Sequence, residues 1–355
     1  MALKEEIGQD AMLNDSNDQQ DPTEIDQAIT ITYGEVAENH IGQQKIGESS
    51  QGNVVGGMFT PQLVEIKRKF EEMGATTELV DLCQFARGTE IEHDINLNMA
   101  SVLIVRDGAS VILGKIDKSA NDMYAEQIEL PKDSKFYSAK HGRVVNKHAR
   151  HNLCFDDVGQ ESDYESKEGT IIPFDEVPCT KFIREKIVEL IDSHDTKVSD
   201  GVLKAEGNYY FDPKKCGIGF HGDAERRIVV AVRLGVANPL HYQWFYKGKP
   251  VGERCKLYLK HGDMYFMSDK AVGNDWKRRV IPTLRHAAGA EIYLKIAVKK
   301  SPSQGAASSS EEGKVKNPAT GRFIMIGRGV YNNLIKSGYV MENGELVLRN
   351  AKGDG

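Results

Sequence analysis

Residues 207–235 read GNYYFDPKKCGIGFHGDAERRIVVAVRLG, with His221-Gly222-Asp223 at their centre. In an extended strand, side chains two positions apart leave the sheet on the same face. An imidazole and a carboxylate so placed can close on one metal ion, and Gly222 between them keeps the opposite face small. A distant histidine would complete the two-histidine-one-carboxylate set that leaves coordination positions open on non-haem iron(II). The pair by itself reads better as two surface groups, so the flanking residues decide. Downstream, Ile228-Val229-Val230-Ala231-Val232 is an unbroken apolar run, the pattern of a buried strand.

Upstream, Asn208-Tyr209-Tyr210 is followed by a loop and then by Gly219-Phe220-His221-Gly222-Asp223-Ala224-Glu225. This N-x-Y, then G-x-H-x-D-x-E, layout resembles the Fe(II)/2-oxoglutarate-dependent dioxygenases, and most closely their AlkB-like branch. The resemblance implies Fe(II), 2-oxoglutarate and O2, with Asn208 and Tyr210 hydrogen-bonding the 2-oxo acid. Leu259-Lys260-His261-Gly262-Asp263 matches the family's L-x-H-G-D turn, which makes His261 a turn residue. The second metal histidine must follow that turn, and His286 is the only histidine beyond it. His221, Asp223 and His286 are then the expected metal ligands and the catalytic set. In the family a cation on the strand after the distal histidine meets the far carboxylate of 2-oxoglutarate. Tyr293-Leu294-Lys295-Ile296-Ala297-Val298-Lys299 has no arginine, so Lys295 takes that role, with Lys299 and Arg285 as rivals. Glu225 stands at a family position that contacts the target base.

From Asn208 to about Lys300, short candidate strands alternate with turns, the last of them over Ile292–Val298. Many short strands punctuated by Gly and Pro point to a β-sandwich or barrel. With the metal motif, the expected fold is α+β, mainly β, with a double-stranded β-helix (jelly-roll) catalytic core over residues 135–300. Residues 1–28 read as a disordered acidic tail. Residues 29–134 read as a small α/β N-terminal domain, with a helix opened by Thr60-Pro61 and strands near 77–82 and 100–106. Within it, GEVAENHIGQQKIG (residues 34–47) reads as a polar loop, and Val111-Ile112-Leu113 as a hairpin partner after the turn Asp107-Gly108. A helix over 180–191 carries one apolar stripe. Residues 301–315 form a Ser/Gly/Ala linker. Residues 316–355 resemble short adaptor modules of large DNA-virus proteins, through NPATGRFI and a helix with Tyr331 and Leu334, and imply a protein partner.

The chain has 355 residues and a net charge of −6. No apolar stretch approaches the ~20 residues of a membrane span, and the acidic N-terminus lacks the form of a signal peptide, so a soluble intracellular protein is expected. Five scattered cysteines without paired spacing argue against a disulfide framework or a zinc ribbon. Two windows mix basic and aromatic residues: KFYSAKHGRVVNKHARHNLCF (135–155) and DWKRR (275–279). Such mixtures suit a phosphate backbone and a stacked base, which makes Arg150 and Trp276 candidate substrate contacts. A solvated basic loop is the competing reading of each. The AlkB-like resemblance implies oxidative demethylation of alkylated nucleic acid bases. A protein side-chain hydroxylase or demethylase, or a binding module without turnover, are the alternatives on the same fold.

Overall fold

The computed structural model describes residues 26–47, 56–93, 100–192, 203–296, 314–318, 320–342 and 344–349. The expected linker up to residue 313, and the acidic tail up to residue 25, lie outside the described residues. The chain divides into two compact units, Met1–Ala297 and Val298–Gly355.

In the first unit the strands are, in chain order, β1 (Ala28–Gly34), β2 (Ala37–Glu38), β3 (Lys45–Ile46), β4 (Thr77–Asp81), β5 (Ser101–Val105), β6 (Lys135–Ser138), β7 (Arg143–Asn146), β8 (His151–Asp156), β9 (Ile171–Pro173), β10 (Lys204–Tyr210), β11 (Gly217–His221), β12 (Val230–Gly235), β13 (Leu240–Tyr246), β14 (Lys249–Leu257), β15 (Met264–Met267) and β16 (Thr283–Gly289). An eight-stranded sheet runs β4-β5-β15-β12-β1-β10-β8-β9, and a four-stranded sheet runs β11-β16-β13-β14. Pairing is antiparallel throughout both, except that β8 and β9 are parallel. The helices of this unit are α1 (Thr60–Glu72), α2 (Gly108–Leu113), α3 (Ala120–Glu129), α4 (Pro178–Ile191), α5 (Asp269–Val272) and α6 (Glu291–Leu294). The class is mixed α+β.

Period-two alternation sorts the large sheet into two faces. Ile29, Ile31 and Tyr33 of β1, Val230, Val232 and Leu234 of β12, and Met264 and Phe266 of β15 pack with α1, α2, α3 and α4 in one core. The intervening residues Val229, Ala231, Tyr265 and Met267 face the other way and join Leu240, Tyr242, Trp244 and Leu284 of the small sheet in a second core. Helices, large sheet and small sheet thus form three layers. The stripe on α4 (Ile183, Ile187, Ile191) is buried on the helical side, where the 3.6-residue period places it. All five cysteines are buried and unbridged.

Three expectations change. Residues 29–134 are not a separate domain: β1 lies in the middle of the large sheet, paired to both β10 and β12, and β5 pairs with β15. Gly108–Leu113 is a helix, not a hairpin strand. The strand expected over 292–298 is absent among the described residues, since Glu291–Leu294 is helical. The place between β12 and β10 is filled instead by β1, from the opposite end of the chain.

The second unit, by itself, pairs β17 (Lys314–Lys316) with β18 (Phe323–Met325) and β19 (Tyr339–Glu342) with β20 (Glu345–Leu348), and places α7 (Gly329–Lys336) between the hairpins in sequence. Tyr331 and Leu334 fall in α7, as their spacing predicts. Among the described residues, no helix is long and apolar enough to cross a membrane.

Candidate metal centre and its cavity

Strands β11 and β16 pair so that His221 faces His286 across the ladder. Asp223 follows two residues on, its N–H donating to the Val272 carbonyl at 3.1 Å. Gly222 is the residue that lets the chain do this. A Cβ there would lie 2.2 Å from the Gly273 carbonyl oxygen and 2.9 Å from Trp276 Cβ, so only glycine allows the 273–276 turn to lie against the ligand pair.

One ligand atom from each of His221, Asp223 and His286 falls within a 4.8 Å cluster. Asp223 Oδ1 is 3.5 Å from His221 Nε2 and 3.6 Å from His286 Nε2. His221 Nδ1 lies 2.8 Å from the Gly219 carbonyl oxygen. That contact requires the proton on Nδ1 and leaves the Nε2 lone pair free to ligate. Burial, and then the neighbouring His286, push His221 down to about 4, so the ring is neutral at physiological pH. Burial works against ionising Asp223, but Arg226 and His286 outweigh it and hold the carboxyl well below the usual range. Two imidazoles and one carboxylate, aimed at one point, fit a divalent first-row metal ion with open positions.

The three ligands line a cavity of about 540 Å³ between the two sheets. Asn208 and Tyr210 of β10, Arg150, Glu225 and Trp276 line it too, so these predicted residues are gathered around the metal cluster. Lys295 is not. It is exposed, at the C-terminal end of α6, and does not line the cavity; among the described residues of the first unit, no strand follows β16 to carry it inward. Of its rivals, Arg285 lies over the rings of Phe245 and Trp276, at 4.0 and 5.2 Å, and Lys299 lies outside the described residues.

The buried cation is Arg233 of β12, which is 1% exposed and lines the cavity. One of its terminal nitrogens donates to Thr30 Oγ1 of β1. Its Nε has no partner among the described residues. Tyr210 and Tyr265 stand beside it, and burial pushes the Tyr265 phenol up to about 12, which keeps it a hydroxyl donor. The run VVAVRLG carried a usable signal: a lone arginine in an apolar strand is a buried charge in need of a partner.

A second polar cluster surrounds Arg226. Its Nη2 donates to Glu206 at 2.6 Å and to Glu225 at 3.1 Å, and its Nε lies 3.7 Å from Asp223. Glu206 accepts from Asn208 Nδ2 at 3.0 Å, and Asn208 Oδ1 accepts from Asn152 Nδ2 at 2.8 Å and from Arg150. Asn208 therefore reaches the cavity already hydrogen-bonded on both sides of its amide. The stretch read as a polar loop forms the short hairpin β2–β3, and Glu38 to Gly42 and Lys45 line the cavity. Glu206 accepts from the Glu38 N–H at 3.3 Å, which ties this hairpin to the cluster. No local pattern in residues 34–47 marks them for that position, because it depends on β1 being central.

No protein family model matches the chain. Over 273 residues it is 41% identical to the uncharacterized protein R156 of Acanthamoeba polyphaga mimivirus, a match that spans 77% of this chain and 100% of that protein. At that identity and coverage, the chain belongs to the same family as the mimivirus protein.

Proposed function

We propose that the protein is an Fe(II)- and 2-oxoglutarate-dependent dioxygenase on a jelly-roll core. The observation that carries this is the pairing, in one cavity, of a His221/Asp223/His286 cluster with a buried arginine that lacks an anionic partner among the described residues. The jelly-roll reading draws support from the order of the strands. From β10 to β13 the chain alternates between the large and the small sheet, returns to the large sheet at β15 and to the small one at β16, and β1 closes the large sheet.

His221, Asp223 and His286 would hold the iron. When bound, it would couple oxidative decarboxylation of the 2-oxo acid to oxidation of a substrate C–H bond. The remaining roles belong to the chain's own residues. Arg233, with the Thr30 and Tyr265 hydroxyls beside it, offers a charge-assisted site for the far carboxylate of 2-oxoglutarate. Arg226 keeps Asp223 ionised and restrains Glu206 and Glu225. The Gly219 carbonyl fixes the tautomer of His221.

On the substrate side the cavity presents Glu38, Glu225 and the Trp276 ring. A flat group bearing hydrogen-bond donors or positive charge suits that wall, and an N-alkylated base is such a group. The test is direct. With Fe(II), ascorbate and 2-oxoglutarate, the purified chain is expected to form succinate, and Asp223→Ala to lose it. Absence of any Fe(II)-dependent 2-oxoglutarate binding would overturn the reading. Formaldehyde release from methylated oligonucleotides, compared with methylated peptides, separates demethylation of bases from action on protein side chains.

A further inference from the structure

The exposed cations of the first unit are distributed unevenly in their partners. On the helical side many are ion-paired: Lys67 with Glu71, Arg68 with Glu65 and Glu72, Lys118 with Asp122, Lys181 with Asp175, Lys186 with Glu189, the last also lying 5.3 Å from the Phe182 ring. On the outer face and along the rim of the four-stranded sheet, five lie against aromatic rings. Arg254 lies 5.0 Å from the centre of the Phe220 ring, Lys256 4.6 Å from Tyr258, Lys247 4.6 Å from Tyr246 and Lys277 5.6 Å from Trp276. Arg285 sits over both Phe245 and Trp276. None of these five cations forms an ion pair among the described residues.

The register explains the arrangement. Cys255 and Leu257 of β14 face inward opposite Tyr242 and Leu240, so Lys256, opposite His241, faces out. The β13–β14 turn meets the loop that follows Trp276, where the Lys247 N–H donates to the Arg279 carbonyl at 3.1 Å. That loop carries Trp276 and Lys277 into the lining of the metal cavity. Positive charge therefore runs from the outer sheet face to the cavity mouth, on a chain whose net charge is −6. Burial, and then the nearby Arg279, push Arg285 down. Tyr258 is 60% exposed, which leaves a ring open for stacking.

We propose that this outer face is a docking surface for single-stranded nucleic acid, which it leads to the cavity mouth at Trp276 and Lys277. Charge complementarity selects a polyanion, and rings interleaved with cations select one that also carries flat bases. The proposal extends the substrate side of the dioxygenase reading, but binding here needs neither iron nor 2-oxoglutarate.

The experiment is fluorescence anisotropy with the full chain and a labelled mixed-sequence 20-nucleotide single strand, as DNA and as RNA, between about 50 and 200 mM salt. For about four phosphate contacts, affinity is expected to fall roughly 50-fold across that range. The double variant R254E/K256E is expected to weaken binding at least about tenfold and to flatten the salt dependence. R254Q/K256Q should do the same to a lesser degree, and an unchanged thermal midpoint shows that each variant is folded. K67E/R68E, on the helical side, should bind as the parent chain does. Binding unaffected by R254E/K256E overturns the proposal, as does binding to anionic phospholipid vesicles or a poly-glutamate peptide with no affinity for the oligonucleotide. Oligonucleotide binding without succinate formation would leave the surface standing and sink the enzymatic reading; succinate formation without oligonucleotide binding would do the reverse.

Discussion

Replacing Arg233 by methionine separates the two roles a buried cation can have. In the folded chain the guanidinium is 1% exposed, donates to Thr30 Oγ1 and leaves Nε without a partner among the described residues. A purely structural cation so poorly satisfied adds little stability, since its desolvation offsets its single bond. Methionine has similar length and fills the same space. Its introduction relieves the buried charge but leaves the Thr30 hydroxyl short of a donor, at about 1 kcal/mol, so the ligand-free protein is expected to unfold within a few degrees of the parent. Binding of 2-oxoglutarate should change far more. A charge-assisted hydrogen bond contributes about 1.5–3 kcal/mol, which corresponds to roughly 10- to 150-fold in Kd. Anaerobic calorimetry with Fe(II) and 2-oxoglutarate measures it. Arg233→Lys, which keeps the charge without the fork, should fall between parent and methionine variant. Lys295→Ala should match the parent. An unchanged Kd in Arg233→Met, or an equal loss in Lys295→Ala, would refute the assignment.

Other consequences are equally accessible. His286→Ala or Asp223→Ala should abolish stoichiometric Fe(II) uptake, measured as metal content after gel filtration, and with it the stabilisation of about 2.7 kcal/mol that a ligand gives at a hundred times its Kd; retained metal would place the site elsewhere. Arg226→Ala should cost about 3–5 kcal/mol in urea unfolding, because Glu206, Asp223 and Glu225 lose the cation that joins them; a loss below about 1 kcal/mol would mean that water already solvates the cluster. Gly222→Ala should lower stability by about 1–3 kcal/mol and impair metal uptake together, since its methyl collides with the Gly273 carbonyl; a variant with parental metal affinity would break that link. Burial pushes both His40 and His241 down to about 4, with Lys147 and Arg150 acting on the first and Lys256 and Arg254 on the second. Below about 6.5 the unfolded chain takes up protons that the native chain refuses until about 4, so stability should hold above 6.5 and decline as pH falls through that window. Urea midpoints at several pH values test this, and His40→Gln with His241→Gln should flatten the decline.

The metal cluster was legible because it is local twice over. His221 and Asp223 share a strand-like segment, and His286 was the only histidine left beyond the H-G-D turn. Asn208, Tyr210, Glu225 and Trp276 were legible for a similar reason, each lying within a short motif or a basic-aromatic window. What could not be read was which distant segments meet. A last strand was expected over Ile292–Val298, but Glu291–Leu294 coils into a helix, and β1 takes the central place in the large sheet. Nothing in AITITYG distinguishes a central strand from one at an edge. Once β1 is central, the boundary expected at residue 134 cannot exist, because β10 and β12 would each lose their partner along that side. The same limit applies to the cation: Lys295 was expected on a strand that is absent among the described residues, whereas Arg233 of β12 lines the cavity, and the residues around Glu38, carried over the cavity directly after β1, read as a plain polar loop.

The charges around the cavity bear on the ligands proposed for it. Asp223, Glu206 and Glu225 converge on the single guanidinium of Arg226. Three carboxyl groups thus share one guanidinium beside the imidazoles, a setting that a divalent metal ion's positive charge suits. Arg233 stands apart from this cluster with a positive charge that no described side chain neutralises. A metal ion alone would satisfy the first imbalance and leave the second. A monocarboxylate could satisfy the second only by giving up its hold on the metal. Under the proposed function, a small dicarboxylic 2-oxo acid would meet both, one end at the cluster and the other at Arg233, so the cosubstrate would be selected by length as well as by sign. Glu38 and Glu225 would remain on the wall presented to the substrate, and there they would favour a group carrying positive charge.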